Sequence, residues 1–102
     1  MYGMIGKMTA VAGQRDALIA ILLDDAGLDA MPGCLSYIVA TDPADADAIW
    51  ITEAWDSKES HDASLTLPSV RQAIARARPL IAGFSDSHVT TPVGGYGLAQ
   101  TA

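Results

Sequence analysis

Residues Tyr2 to Val11 are rich in β-compatible apolar side chains and run into Ala12-Gly13, a turn signal, so they predict a first strand. From Gln14 the period changes. Leu18, Ile21 and Leu22 fall at i, i+3 and i+4, the spacing of one helical face, with Asp24, Asp25 and then Gly27 to end the helix. Met31-Pro32-Gly33 is a turn that delivers a second strand, Cys34 to Thr41. The run Asp42 to Asp47 reads as an exposed acidic hairpin loop, and Ala48 to Trp55 as a third strand. Asp56 or Ser57 then caps a short helix, with Glu59 placed to close a capping box with Asp56. Pro68-Ser69 breaks and restarts it, Ser69 and Gln72 form a second box, and Val70, Ala73, Ile74 and Ala77 make the apolar stripe. Pro79 stops that helix, and Ser85 to Thr91 is the last strand. The chain therefore divides into a folded unit, residues 1–91, and a tail, 92–102, rich in glycine and without a core pattern.

The order β-α-β-β-α-β is the split βαβ plan of the ferredoxin-like α+β folds, a four-stranded antiparallel sheet with helices on one face. Strand alternation puts Ile49 and Ile51 on one side and Trp50 on the other, and sets Leu35, Tyr37 and Val39 against Ile38 and Ala40. Both faces are apolar, yet one layer of helices covers only one. A second copy packed on the other face is the simplest cover, which predicts a homodimer.

Composition narrows the partners. Twelve acidic against six basic residues give a net charge of −6, which argues against nucleic acid or an anionic membrane. The longest apolar run, Ala17 to Leu23, is far short of a membrane span, and the first residues lack the pattern of a signal peptide. The single cysteine, Cys34, forms no internal disulfide, in keeping with an expected cytoplasmic location. At 102 residues the expectation is one acidic domain with no second core.

Three segments together resemble the antibiotic biosynthesis monooxygenase domain: Pro32 to Tyr37, the strand end Thr52-Glu53-Ala54-Trp55, and Ser57-x-Glu59 followed by Pro68. The resemblance runs from about Met4 to about Val89. It implies a dimeric α+β barrel with a pocket in each subunit between helices and sheet. It also implies oxygenation of phenolic, quinol or anthrone substrates without metal or flavin, on a fold that hosts other activities too. In the anthrone-oxidising branch a Trp at the strand end and a Tyr soon after line the pocket; Trp55 matches the first and His61 falls near the second. Departures stand beside these matches. Ile51 occupies the place of that branch's Asn, and Ser64 and Ser69 stand where many members carry His. Gly6, Ser64 and Ile74 replace the residues of the haem-degrading branch, which argues against haem degradation.

The residues themselves point to chemistry that asks little of the protein. His61 and His88 lie far apart with one cysteine, which is no pattern for zinc or iron, and Gly94 to Gly97 opens no predicted helix that could cradle a nucleotide. Cofactor-free oxygenation needs a dry apolar pocket and a base that turns the substrate into an electron-rich anion. Imidazole titrates near about pH 6.5 and suits that task, so His61 is the candidate base, although the same spacing suits a solvated surface histidine. Trp55, Tyr37, Ile51, Ser64 and Arg71 are the candidates to contact a small apolar or aromatic substrate; no cofactor and no metal enters this reading. Each has a structural alternative: Trp55 as core, Tyr37 as a satisfied buried hydroxyl, and Arg71, Arg76 and Arg78 as a solvated helix face. Trp50 reads as an interface anchor and Glu53 as a carboxylate paired across strands or subunits. Two further functions remain open: a dimeric module that binds an apolar metabolite without turnover, and an isomerase of a small anion drawn by the arginines.

Overall fold

The computed structural model describes residues 1–24 and 31–98. Strand β1 (Tyr2–Ala10) leads through Gly13 into α1 (Arg15–Leu22); β2 (Cys34–Thr41) and β3 (Ala48–Trp55) follow. Helices α2 (Lys58–Ser64) and α3 (Pro68–Ala77) come next, then a 3₁₀ turn (Arg78–Leu80) and β4 (Ile81–Thr90). The sheet is antiparallel with strand order β2-β3-β1-β4: β2 and β3 form a hairpin, and β1 and β3, which are not consecutive in the chain, form its centre. This is the expected ferredoxin-like arrangement. Gly27 and the last four residues lie outside the described part.

The core sits between sheet and helices. Leu18 of α1 and Ile49 of β3 are fully buried and meet Met8, Ala10 and Ala77. Register explains which side chains share that face: Met8 pairs with Ile49, Met4 with Glu53, and Tyr2 with Trp55 across β1 and β3, while Tyr37 pairs with Glu53 across β2 and β3. Hence one row of β3, from Ile49 to Trp55, passes from sealed core into the region below α2. The other face carries Trp50 beside Lys7 and Ala40. There the Lys7 ammonium lies 5.8 Å from the Trp50 ring, and the indole Nε1–H donates to Asp42 Oδ2 at 3.0 Å. On the same strand layer Ile38 remains 55 % exposed.

Several local expectations give way to competing geometry. Ser57, in extended conformation, caps α2 by accepting from the Ser60 amide at 3.1 Å; Asp56 lies one residue too early for the box with Glu59. Leu67 is the N-cap of α3 and Pro68 its first residue, which places Ser69 inside the helix and removes the second box. The last strand begins at Ile81 rather than Ser85, because the 3₁₀ turn at Pro79 leads straight into the sheet and Gly83 is carried along in the ladder with β1. It ends at Thr90. A register shift at Cys34/Ser36 interrupts the alternation of β2 at Leu35, so Leu35 does not continue the Tyr37 row by simple count. The acidic loop closes the β2–β3 hairpin as expected and is internally bonded as well: Asp42 accepts from the Ala44 amide, Asp45 from the Asp47 amide, and the Asp45 carbonyl accepts from Arg15.

Candidate functional site

Gly33 fixes where α2 begins. Its φ of +85° suits glycine, and a Cβ there would fall 2.6 Å from the Ser60 side chain. Its carbonyl accepts from the Asp56 amide at 2.9 Å, so the turn before β2 is bolted to the residue after β3. Ser57 then starts α2 directly above the end of β3, and the second turn of that helix brings His61 over Trp55. The two rings meet edge to face, with centroids 5.5 Å apart and planes at 81°. Tyr2, the cross-strand neighbour of Trp55, flanks the imidazole on another side at 5.4 Å.

Beside this cluster lies a cavity of about 680 Å³ between the helices and the sheet, the size of a site for a small organic ligand. Met8, Tyr37, Glu53 and Trp55 form its sheet wall; His61, Ser64 and Leu65 come from the α2 side, and Val70, Ala73 and Ala77 from α3. The structure thus brings together four of the six residues expected at the site: His61, Trp55, Tyr37 and Ser64. Ile51 and Arg71 are not among its walls. Ile51 borders a smaller cleft of about 260 Å³ on the β1 side, and Arg71 is exposed on α3. Arg76 and Arg78 border the cavity instead, and Arg76 reaches Asp24 at 3.3 Å, tying α3 to the end of α1. Both side chains of that pair are substantially exposed, so it contributes little to stability.

The polar groups in this apolar setting have distinct roles. Trp55 is 1 % exposed and donates its indole N–H to Glu53 Oε1 at 3.0 Å, so Glu53 is bonded within its own strand rather than across strands. Ser64, the one buried polar residue of α2, spends its hydroxyl proton on the His61 carbonyl at 2.6 Å. Burial, reinforced by the charge of Glu53, pushes the Tyr37 phenol up to about 12. Tyr37 is therefore a neutral hydroxyl at physiological pH, able to donate a hydrogen bond and unsuited to act as a base. Burial likewise raises the Cys34 thiol, which donates to the Ser36 carbonyl and packs as a small neutral group.

The Tyr37 shift has a measurable sign. A folded pKa above the unfolded one means that the native state holds the proton more tightly. The associated stability is complete below the ordinary value of 10.0 and is lost as pH rises through about 12. Ultraviolet titration of the native protein is expected to show one phenol ionising near 12, and Tyr37→Phe is expected to remove that step. Ionisation of every tyrosine near 10 would contradict the buried position.

Tyr2, against the imidazole, was not singled out by sequence; Glu53 was read as a paired carboxylate and Arg76 as part of a solvated helix face, and both border the cavity. Among the described residues no three His, Cys, Asp or Glu side chains cluster in a way that could hold a metal ion. None of the described helices is long and apolar enough to cross a membrane.

The profile of the antibiotic biosynthesis monooxygenase family matches residues 1–76. The chain is similar to the crystal structure of a proposed antibiotic biosynthesis monooxygenase from Chloroflexus aurantiacus J-10-fl. Identity is 66 %, coverage 96 % of this chain and 98 % of that one, and the TM-score 0.91. A second such protein, from Deinococcus radiodurans, is 28 % identical over 100 % of both chains, with a TM-score of 0.70. A third, from Caulobacter crescentus CB15, shares the fold at 18 % identity and a TM-score of 0.81, covering 91 % of this chain and 90 % of that one. No curated protein matches the sequence.

Proposed function

Because the chain belongs to the antibiotic biosynthesis monooxygenase family, we propose that it is a cofactor-independent monooxygenase acting on a phenolic, quinol or polycyclic aromatic substrate. The observation that carries this reading is His61 set edge-on to Trp55 at the wall of a largely apolar cavity of about 680 Å³. Apolar walls from Met8, Val70 and Ala73 suit a flat aromatic ring, while Tyr37, neutral at working pH, offers a hydrogen bond to a substrate oxygen.

In this reading His61 takes a proton from the substrate and leaves an electron-rich anion in a water-poor site. The anion passes one electron to O₂, and the resulting radical and superoxide combine into a carbon-bound peroxide. The imidazolium returns its proton to the peroxide. Loss of the second C–H proton with O–O cleavage then expels water. For an anthrone-type methylene the balance is R₂CH₂ + O₂ → R₂C=O + H₂O, with all four electrons supplied by the substrate.

The test is oxygen uptake over a panel of quinols, anthrones and naphthols in metal-free buffer, with ¹⁸O₂ to follow the atoms. One labelled oxygen in the product and one in water is the expected result. Uptake no faster than the uncatalysed rate across the panel would move the reading to a binding module. The unit of function is proposed to be a homodimer, since Ile38 and the half-buried Trp50 lie on the sheet face that the helices leave open. Light scattering that returns the mass of a single chain would reject it.

The presence of Arg76 and Arg78 at the cavity supports a second reading, turnover of a small anionic metabolite. Protection of the protein against heat by simple sugar phosphates, but not by the aromatic panel, would favour it.

A further inference from the structure

The imidazole of His61 bridges two surroundings. Its Nδ1 lies 3.1 Å from Asp62 Oδ1, on a side chain 51 % exposed, while only 14 % of the His61 side chain is open and the residue borders the cavity. Among the described residues nothing else is hydrogen-bonded to the ring, and no sealed polar side-chain atom lacks a partner. Nε2 is therefore neither bonded to protein nor walled in, and it is the ring nitrogen left for a ligand.

Asp62 divides its two oxygens. Oδ2 takes the Lys58 ammonium at 2.8 Å, and Oδ1 is left for the imidazole. Lys58 first, and His61 after it, hold the Asp62 carboxyl below the usual carboxylate range, so it stays ionised in neutral solution. A carboxylate only accepts hydrogen bonds, so Nδ1 must carry the proton, and in a neutral ring the lone pair is then on Nε2. Successive residues of a helix diverge by about 100°, so this neighbour bond forms only at chosen side-chain torsions. The other ionisable groups around the ring are Tyr2 on β1, Glu53 along the β3 wall, and Lys58 on α2; none of them is bonded to it.

We propose that Asp62 is a positioning residue that locks His61 as the Nδ1–H tautomer, so that Nε2 presents its lone pair to the cavity as proton acceptor. The inference rests on His61 being the base, but the tautomer is measurable without any substrate. Long-range ¹⁵N–¹H correlation spectra of the full chain, in alkaline buffer where an ordinary imidazole is neutral, read it directly; His88→Gln assigns the second histidine.

The wild type is expected to show Nδ1–H as the major form, the reverse of free histidine in water. Asp62→Asn is expected to turn the population to Nε2–H, because the amide can donate to Nδ1, and Lys58→Gln is expected to keep Nδ1–H. With a substrate in hand, Asp62→Asn is expected to lower kcat about tenfold or more with KM little changed. A wild type dominated by Nε2–H, or a tautomer indifferent to Asp62→Asn, would overturn the assignment. A tautomer that switches while kcat holds would overturn the positioning role. If the wild type shows Nδ1–H as assigned, full turnover by the His61→Ala protein would instead sink the reading of His61 as the base.

Discussion

Replacing His61 by Ala is expected to lower kcat/KM by about 10²- to 10⁴-fold, the span ordinarily carried by one positioned general base. The loss should fall on kcat, since the imidazole is one of many groups lining a cavity whose walls also include Val70, Ala73 and Ile74. Stability should change far less, because the ring lies at the rim and its hydrogen bond to Asp62 is on the exposed side. His61→Gln separates base from packing. Its amide can still donate to Asp62 but takes no proton at neutral pH, so it should be as inactive as Ala while folding as well as the wild type. Glu53 is the rival acceptor in the cavity. Steady-state kinetics on His61→Ala, His61→Gln and Glu53→Gln decide between them: an active His61→Gln beside an inactive Glu53→Gln would move the base to β3.

Trp55→Ala is expected to destabilise the fold by about 3–5 kcal/mol, the usual cost of truncating a buried tryptophan. Trp55 is among the largest fully buried side chains, with 1 % exposure, and it supports both Glu53 through its indole N–H and His61 through the edge-to-face ring contact. Against a total stability of about 5–15 kcal/mol, that loss takes a large share. The removed volume opens into the existing cavity, so water can occupy part of it and hold the effect to the lower end of the range. Trp55→Phe keeps much of the buried surface but removes the N–H donor to Glu53 together with one of the two fused rings, which predicts a loss of about 1–3 kcal/mol. Urea unfolding of the three proteins measures both. Equal midpoints for Trp55→Ala and wild type would show that Trp55 is not a structural part of the wall.

Much of the fold was legible because its punctuation is chemical. Pro32-Gly33 and the aspartate loop bound β2 and β3 to the residue, and strand alternation put Ile49 and Trp50 on opposite faces. Where two local signals compete, sequence alone misplaces the boundary. Asp56 and Ser57 both suit an N-cap, and the choice fell to the residue whose backbone is extended when Gly33 holds Asp56. Gly83 and Phe84 lie before the strand start that the sequence predicts at Ser85 but are held as strand by β1, whose register supplies the partners.

The candidate site divides the same way. His61 and Trp55 were visible because they lie close in sequence, six residues apart across a cap. Arg71 and Arg76 stand at about equal angles, roughly 110°, on either side of the α3 apolar stripe, so periodicity ranks them equally. The packing of α1 against α3 breaks the tie, turning the Arg76 side toward the cavity and Asp24. Glu53 was expected to find its partner across strands or subunits; within the chain the register pairs it with Met4 and Tyr37, and the indole of Trp55, two residues on, is its donor.

By itself, then, the sequence determined the order of elements, the two faces of the sheet and the position of an imidazole just after a strand-end tryptophan, because periodicity and turn chemistry act over a few residues. Only the tertiary structure decided which arginines border the cavity, that Tyr2 flanks His61, that Tyr37 is held neutral, and that one nitrogen of His61 is committed to Asp62. Those are distances and dielectric surroundings set largely between elements brought together by packing, and local sequence pattern does not encode them.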